Sequence, residues 1–189
     1  LVAAAKRGCG YGLGISNIRP KGFHVKNSAN SSTGAVSFMP RYSFSTREVA
    51  QDGRRGACLI DIDINHPDSL DFINSKKDRT QITGANISVK VNSEFMKAVE
   101  NDERYVLRFP CDFYEKNETW VKDLEEGKNN AELNVLQPIK SGNDTIGYTK
   151  VIKAKEYWNE IINNAWENAE PGVFFWDKVI NYDPCSVYP

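Results

Sequence analysis

Arg54 and Arg55 are the residues whose type and spacing first point to binding chemistry. They lie between Gly53 and Gly56, directly before the apolar, β-prone run 57–64. Glycine lets backbone N–H groups approach an anion closely, and the planar arginine guanidinium offers several donors to a phosphate. The pattern indicates a phosphate or nucleotide contact at the mouth of a buried strand. Ordinary solvated surface is the alternative for any arginine pair.

A second candidate segment is the loop from Gly22 to Gly34. It is polar, is built largely from small residues, and has neither helical nor strand periodicity. Loops of about a dozen residues are usually either functional or disordered. The hydroxyl and amide side chains of this loop, together with Lys26, suit phosphate or ribose, and a surface loop without function is the alternative.

The four cysteines, Cys9, Cys58, Cys111 and Cys185, are widely spaced and form no C-x-x-C motif. This spacing does not favour a zinc site, and we expect no bound metal. Cys58 lies inside an apolar run and is expected to be a small buried residue. We therefore predict reduced thiols and a cytoplasmic protein.

Composition limits the classes of partner. The chain has 189 residues, 40% of them hydrophobic, with 24 basic and 25 acidic side chains. This balance gives no electrostatic drive toward DNA or an anionic membrane surface. No apolar run approaches the roughly 20 residues that a membrane span needs. The length suits one domain or a large piece of one, and the first residues, which lack an initiator Met and any signal-peptide pattern, lead us to expect an internal piece.

Predicted strands and helices alternate along most of the chain. Strands are expected over 57–64, 82–91, 105–109 and 173–176, and helices over 40–51, 68–77, 95–100 and 154–170. An extended, glycine-rich segment over 8–14 precedes them. Residues 110–150 are an irregular excursion with strand pieces near 119–121 and 146–149, and 177–189 is an irregular tail. The alternation predicts a mostly parallel α/β sheet or barrel, in which ligands bind at strand carboxyl ends or connecting loops.

Side-chain patterns predict which faces are buried. In strand 82–91, apolar and polar residues alternate, with Ile87, Val89 and Val91 on one face and Asn86, Ser88 and Lys90 on the other. The polar face suits a barrel lumen or an active-site wall. In the helices, the expected core residues are Tyr42, Phe44 (or Ser45), Val49, Tyr157, Trp158, Ile161, Ile162, Ala165, Trp166 and Ala169. His66, in a turn, is expected to be a hydrogen-bonded structural residue.

Seven segments, in this order, resemble the large catalytic subunit of ribonucleotide reductases. They are GISNIRPKG at 14–22, STGAVSFM at 32–39, GRRGA at 53–57, NHPD at 65–68, NISV at 86–89, FMKAV at 95–99 and AEPGVFFWD at 169–177. The resemblance covers nearly all of the chain except 111–150. It is greatest to the adenosylcobalamin-dependent class and its close relatives.

The resemblance implies a fold and two specificity loops. The family fold is a ten-stranded α/β barrel of two parallel halves, of which residues 1–189 would supply about half, with an irregular insertion near 111–150. Loops 22–34 and 51–57 would connect a nucleoside triphosphate effector, bound near a dimer interface, with the base of the substrate. Lys26 would face effector phosphates, Gln51 and Arg54 a base, and Arg55 the substrate. The implied nucleotide-binding set is Lys26, Gln51, Gly53, Arg54, Arg55, Gly56 and Ala57.

The resemblance also implies thiyl-radical chemistry that this chain does not complete. A cysteine radical would abstract a ribose hydrogen, two further cysteines would supply electrons, and a carboxylate would act as base. The family's Asn-Pro-Cys-Gly-Glu motif is absent, and Cys185 in Asp-Pro-Cys-Ser is only superficially similar to it. We therefore assign no catalytic residue, and we expect the isolated chain to be inactive.

The implied cofactor is adenosylcobalamin, with its contacts outside this chain. The implied partners are a ribonucleoside diphosphate or triphosphate, the effector, the remainder of the barrel, a second copy of the full subunit, and a thioredoxin- or glutaredoxin-type reductant. Neither DNA nor a membrane is expected to bind. The alternative function is a non-catalytic nucleotide-binding or assembly module derived from the same family.

Overall fold

Four parallel strands form the main sheet of the computed structural model, which describes residues 2–25, 30–49, 56–111 and 124–182. In spatial order these strands are β1 (Tyr11–Gly14), β2 (Cys58–Asp63), β3 (Asn86–Val91) and β7 (Gly172–Phe175). Each neighbouring pair is parallel, with Leu13 opposite Ile60 and Ile60 opposite Ile87. The predicted parallel α/β sheet is therefore confirmed, as an open sheet rather than a closed barrel.

Helices connect the strands, as the alternation predicts. Their bounds are α1 Val2–Lys6, α2 Met39–Glu48, α3 Ser69–Ile73, α4 Ser93–Glu100, α5 Ala154–Asn168 and α6 Trp176–Asn181. A 3-10 turn at Val36–Phe38 leads into α2, and a single helical turn occupies 124–127. Within the described residues, none of the helices is both long enough and apolar enough to cross a membrane.

The main sheet has one apolar face and one polar face. Ile60 and Ile62 of β2 and Ile87, Val89 and Val91 of β3 are almost completely buried under the helices. The core on that side includes Phe72 of α3, Phe95 of α4 and Ile161 of α5. The opposite face carries Asp61, Asp63, Ser88 and Lys90. Because parallel sheets are usually covered on both faces, a polar face of this kind is typical of a site or a lumen.

A second sheet, of order β4-β6-β5, is antiparallel and was not predicted. It contains β4 (Arg104–Phe109), β5 (Gln137–Ser141) and β6 (Asp144–Lys153). A tight turn with Gly142 at φ +59° joins β5 to β6, and such a short connection requires antiparallel pairing. The strand predicted at 105–109 therefore pairs with β6 instead of extending the parallel sheet. The piece predicted at 146–149 lies in β6, and 119–121 lies outside the described residues.

The core face expected for α2 is wrong at Phe44, which is 62% exposed. The buried positions are Met39, Ser43 and Thr46. Small polar residues face the sheet here because Gly84 lies directly against this helix: its N–H donates to Ser43 Oγ at 2.8 Å, and a Cβ on Gly84 would collide with the Ser43 carbonyl oxygen. A large aromatic side chain has no space on that face.

The core face expected for α5 is partly wrong. Tyr157 and Ile161 are buried as predicted, but Ile162 is 47% exposed and Trp166 is 89% exposed. Asn164 takes the buried position instead, since its Nδ2 donates to Asn74 Oδ1 at 3.0 Å and to the Glu160 carbonyl at 2.8 Å. These two hydrogen bonds use both N–H groups of the Asn164 amide and fix the rotation of the helix.

Two terminal details complete the fold. Asn92 caps α4, because its Oδ1 accepts a hydrogen bond from Phe95 N at 2.7 Å. The predicted irregular tail is wrong over its first part, where Trp176–Asn181 is helical. Asp177 stabilises the position of this helix by accepting a hydrogen bond from Ser93 N at 2.6 Å.

Candidate functional site

The structure describes only part of the predicted nucleotide-binding set. Gly56 and Ala57 are described and lie together immediately before β2. Several predicted residues lie outside the described ranges, namely Lys26, Gln51, Gly53, Arg54, Arg55 and the cysteine of the tail, Cys185. The first candidate site therefore consists of Gly56, Ala57 and the residues that surround them.

Gly56 and Ala57 line a cleft of about 840 Å³ at the amino ends of β1, β2 and β3. The same cleft is lined by Tyr11 from β1, by Arg47 from α2 and by Asn86 from β3. Three strands, one helix and the end of the 51–57 loop thus converge on one space. Its volume falls in the range of small-molecule and cofactor pockets.

Glycines keep the rim of this cleft open to the backbone. A Cβ added to Gly56 would lie 2.9 Å from the Thr46 carbonyl oxygen, and one added to Gly10 would lie 3.2 Å from Ala57 Cβ. These two positions therefore favour glycine over residues with a side chain, because neighbouring segments pack directly against them. Gly10, Gly56 and Gly84 are among the residues that line the cleft, and the peptide N–H of a glycine can approach a bound anion closely.

Polar side chains at the cleft favour an anionic or hydroxyl-bearing ligand. Arg47 is exposed and donates from Nη1 to Thr83 Oγ1 at 2.6 Å, which holds its guanidinium beside the cleft. Thr46 Oγ1 donates to the Tyr42 carbonyl at 2.7 Å, so the Tyr11 hydroxyl is the donor in its bond to Thr46 Oγ1. Burial raises the pKa of Tyr11, which therefore remains a neutral phenol near pH 7.

Arg47 is a residue that sequence reasoning missed. Helical periodicity correctly places it on the outer side of α2, but periodicity carries no information on which exposed residues border a cleft. Its partner Thr83 is 36 residues away in the sequence, so no local pattern links the two.

A second cleft, of about 510 Å³, lies at the carboxyl ends of the strands. Asp63, Lys90, Arg108 and Asp177 line it with charges of both signs. Burial raises the pKa of Asp63, even though its Oδ1 accepts a hydrogen bond from Asn65 N at 2.8 Å. A carboxyl group of this kind can retain a proton at higher pH than an exposed aspartate, which is a property of proton-transfer groups.

Lys90 connects this second cleft with the polar face of the sheet. Its Nζ lies 2.5 Å from Asp61 Oδ1 and 4.3 Å from the centre of the Trp176 ring. The polar alternation predicted for β3 is thus confirmed, and Lys90 is neutralised by a strand neighbour. The repeat Ile-Asp-Ile-Asp-Ile at 60–64 alternates in the same way, and this alternation is the sequence signal that places Asp61 and Asp63 on the polar face.

The segment 22–34 begins and ends as a paired hairpin rather than as an unstructured loop. Gly22 N donates to Ser32 O at 3.0 Å, Ser32 N to Phe23 O at 2.8 Å, and Val25 N to Asn30 O at 3.1 Å. Residues 26–29, which include the predicted phosphate ligand Lys26, lie outside the described residues.

The bases of the two predicted loops lie at opposite ends of α2 and β2. The hairpin 22–34 precedes α2 and contacts the chain after the carboxyl end of β2, at Asp68. Gly56 follows α2 and precedes the amino end of β2. Ten helical residues separate the bases, a length of about 15 Å. The helix α2 therefore lies between the described bases of the two loops.

His66 has the structural role that was expected. It is fully buried, its Nε2–H donates to the Ile18 carbonyl at 2.8 Å, and its Nδ1 accepts from Asp68 N at 3.0 Å. Burial lowers the pKa of His66, and the contacts with Ile18 and Asp68 oppose that effect only in part. Both ring nitrogens are occupied by the backbone, and neither is available to a ligand.

Comparison with known proteins identifies the family. A family model described as the barrel domain of ribonucleotide reductase matches residues 1–187. A vitamin B12-dependent ribonucleoside-diphosphate reductase from Thermoplasma acidophilum is 32% identical over 181 residues, which cover 95% of this chain and 19% of the relative.

Two further relatives extend the comparison. A vitamin B12-dependent ribonucleoside-diphosphate reductase from Mycobacterium tuberculosis is 35% identical over 107 residues, covering 56% of this chain and 16% of the relative. The ribonucleoside-diphosphate reductase large subunit of Caenorhabditis elegans is 25% identical over 181 residues, covering 92% of this chain and 21% of the relative. The chain thus spans about a fifth of the length of these proteins, and it belongs to the ribonucleotide reductase family as part of the barrel domain.

Proposed function

We propose that this chain carries the substrate-facing and effector-facing part of a reductase that converts ribonucleotides to deoxyribonucleotides by thiyl-radical chemistry. The observation that carries the proposal is the glycine-rimmed cleft at Gly56 and Ala57, which has a nucleotide-sized volume and a cationic side chain, Arg47, at its edge. Family membership and the activities of the relatives support it. A ribonucleoside diphosphate is the preferred substrate by that similarity.

The proposed roles divide between the two loops. Lys26 contacts the phosphates of a nucleoside triphosphate effector, and Gln51 and Arg54 read a base. Arg55, with the backbone of Gly53, Gly56 and Ala57, faces the substrate. A flat guanidinium fork suits phosphate or base edges, and glycines let the backbone approach either ligand closely.

The radical and redox cysteines are proposed to lie in other parts of the whole protein. Of the cysteines that the structure describes, Cys9 is exposed, Cys58 is buried in β2, and Cys111 is half-buried with its Sγ 3.6 Å from the Ser16 carbonyl. The chain by itself is therefore proposed to be inactive. In the complete protein we propose a homodimer that a thioredoxin- or glutaredoxin-type protein reduces.

Adenosylcobalamin is the cofactor proposed for the complete protein, because two of the relatives are vitamin B12-dependent. The residues described here do not fit it. A corrin ring needs a broad, flat surface, whereas the two clefts are lined by glycine backbone and by charged side chains. Contacts with cobalamin are therefore assigned to segments outside this chain.

The test uses the full-length protein that contains this chain. Reduction of the four ribonucleotides is measured with each deoxynucleoside triphosphate in turn, for the wild type and for Arg54→Ala and Arg55→Ala. We expect both variants to alter the effector-dependent choice of substrate, whereas Arg41→Ala, an exposed arginine on α2, leaves it unchanged. Wild-type selectivity in both variants would show that the loop assignment is wrong. Nucleotide binding without turnover in the wild type would instead identify a non-catalytic module.

A further inference from the structure

One buried carboxylate closes the base of the hairpin 22–34. Asp68 is 6% exposed, and both of its oxygens lie 3.1 Å from Lys21 N, while Oδ2 also accepts from Ala35 N at 2.9 Å. Lys21 directly precedes the hairpin and Ala35 directly follows it. A single side chain therefore joins the two ends of the segment.

Asp68 makes these bonds in place of capping its own helix. It is the N-cap residue of α3, yet its side chain makes no capping hydrogen bond there. The peptide of Asp68 is itself held, since its N–H donates to His66 Nδ1 at 3.0 Å. The carboxylate is thus fixed by the end of β2 and directed at the loop, which indicates that placing the loop is its main role.

Gly34 shows how closely the carboxylate and the loop backbone approach each other. Its φ is +92°, and a Cβ at this position would lie 2.8 Å from Asp68 Oδ2 and 2.9 Å from Lys21 Cβ. Neither the backbone conformation nor the space accepts a side chain here. The loop end is therefore packed against the carboxylate without a gap.

The outer side of the hairpin is held by the antiparallel sheet. The Phe23 ring lies 4.7 Å from the Tyr148 ring and 5.8 Å from the Phe109 ring, centre to centre. The Tyr148 hydroxyl accepts a hydrogen bond from His24 N at 3.3 Å. Tyr148 belongs to β6, within the segment 111–150 that the family resemblance did not cover. This insertion thus supplies a second support for the same hairpin.

We propose that Asp68 and Tyr148 are positioning residues that hold the two ends of the hairpin, 21–25 and 30–35, in place, and that this arrangement favours the binding of a nucleoside triphosphate by the loop. This inference rests on the proposed function of the loop and adds a role for the insertion. A loop that is already ordered loses less conformational freedom on binding. The apparent dissociation constant rises as the fraction of molecules in the competent shape falls, so loosening either support weakens binding.

Equilibrium binding of dATP, dGTP, dCTP and dTTP, one at a time, to the full-length protein tests the proposal. Asp68→Asn replaces an acceptor-only group with an amide that also carries donors, and we expect roughly tenfold weaker binding. Tyr148→Phe removes one acceptor and keeps the ring, so about threefold weaker binding is expected. The matched controls are Asp71→Asn, exposed on the same helix, and Tyr182→Phe, 76% exposed, which should bind as the wild type does.

Two readouts separate positioning from general damage. The nucleotide concentration that gives half of the maximal effect on substrate choice should rise in Asp68→Asn, while turnover at saturating nucleotide stays near that of the wild type. A purely structural role would instead lower turnover and the unfolding midpoint together. Amide hydrogen exchange should accelerate in peptides covering 21–35 in Asp68→Asn and remain unchanged in Asp71→Asn.

The outcomes distinguish this inference from the function on which it rests. A wild-type protein that binds none of the four nucleotides would overturn both. Nucleotide binding by the wild type, with equal affinity in Asp68→Asn and Tyr148→Phe, would overturn the positioning role alone. The same holds if exchange accelerates but affinity does not change, since the support would then have no effect on binding.

Discussion

At the level of single residues, His66 and Asp68 connect the end of β2 with segments that are distant in the sequence. His66 binds the carbonyl of Ile18, and Asp68 binds the N–H groups of Lys21 and Ala35. Histidine and aspartate are common catalytic types, yet here their polar atoms are used by the backbone. The residue types alone therefore do not identify a catalytic pair.

The buried imidazole of His66 makes the free energy of unfolding depend on pH. Its folded-state pKa lies below the unfolded value of about 6.5, so the unfolded state binds a proton more readily. Stability should be fully retained above pH 6.5 and should decrease as the pH falls below it, toward the lowered pKa. Urea unfolding midpoints at pH 7.5, 6.5 and 5.5 would measure this, with His66→Gln showing a smaller decrease than the wild type.

The other histidine of the chain provides the control for this experiment. His24 is exposed, so His24→Gln should retain the pH dependence of the wild type. Carboxylates that do not interact with His66 are the same in all three proteins, so their contribution to the pH dependence cancels in the comparison. Identical pH dependence in His66→Gln and the wild type would contradict the assigned role.

Sequence reasoning predicted the role of His66 but not the partners of Asp68. A histidine in a turn before a helix is usually a hydrogen-bonded structural residue, and this rule predicts the kind of role of His66, although its partner Ile18 is 48 residues away. The amides that Asp68 binds are 47 and 33 residues away, and only the packing of the hairpin against β2 brings them together. Such long-range partners leave no periodic signal in the sequence.

At the level of elements, the burial difference along α5 gives a direct test of the observed packing. Ile161 is 1% exposed and Trp166 is 89% exposed. We expect Ile161→Ala to lower the free energy of unfolding by about 2–5 kcal/mol, because it leaves a cavity in the core. Trp166→Ala should change it by less than about 0.5 kcal/mol. Chemical denaturation measures both values, and a larger cost for Trp166→Ala would show that the helix is rotated from the position described.

The helices α2 and α5 could be predicted from the sequence, but the face that each of them buries could not. The apolar residues of α5 are spread widely enough to permit several rotations, and the buried Asn164 decides between them through Asn74 and Glu160. In α2, the close approach of Gly84 to Ser43 excludes the predicted Phe44 from the core. Both corrections depend on a contact with another element, which the sequence of the helix does not contain.

At the level of the whole molecule, the main sheet ends in strands that each have one described neighbour. β1 pairs only with β2, and β7 pairs only with β3, within the residues described. Phe175, Val179 and Ile180, in β7 and the helix after it, are about half exposed. Unpaired strand edges and exposed apolar side chains promote association between chains.

We therefore expect the isolated 189-residue chain to self-associate as its concentration rises. Light scattering across a concentration series would detect the increase in mean mass. Val179→Lys combined with Ile180→Lys should reduce it, because two charges on the helix after the edge strand oppose close approach. A chain that stays monomeric at every concentration would argue against exposure of these edges.

The parallel sheet followed from the sequence, whereas the antiparallel sheet did not. Regular alternation of strands and helices is enough to predict parallel pairing among β1, β2, β3 and β7. The pairing of β4 depends instead on β6, which begins 35 residues after β4 ends and lies in a segment with poor periodicity. Packing decides which distant strand β4 pairs with, and local sequence patterns carry no information on that choice.

The strand β2 connects the bases of the two loops. Its six residues span about 20 Å, with Gly56 before one end and Asp68 shortly after the other. It is a central strand, hydrogen-bonded to β1 on one side and to β3 on the other. If both loops bind nucleotides as proposed, this strand is the most direct covalent connection between the two ligands. Any coupling measured between them would then be reciprocal, each ligand changing the affinity for the other by the same factor.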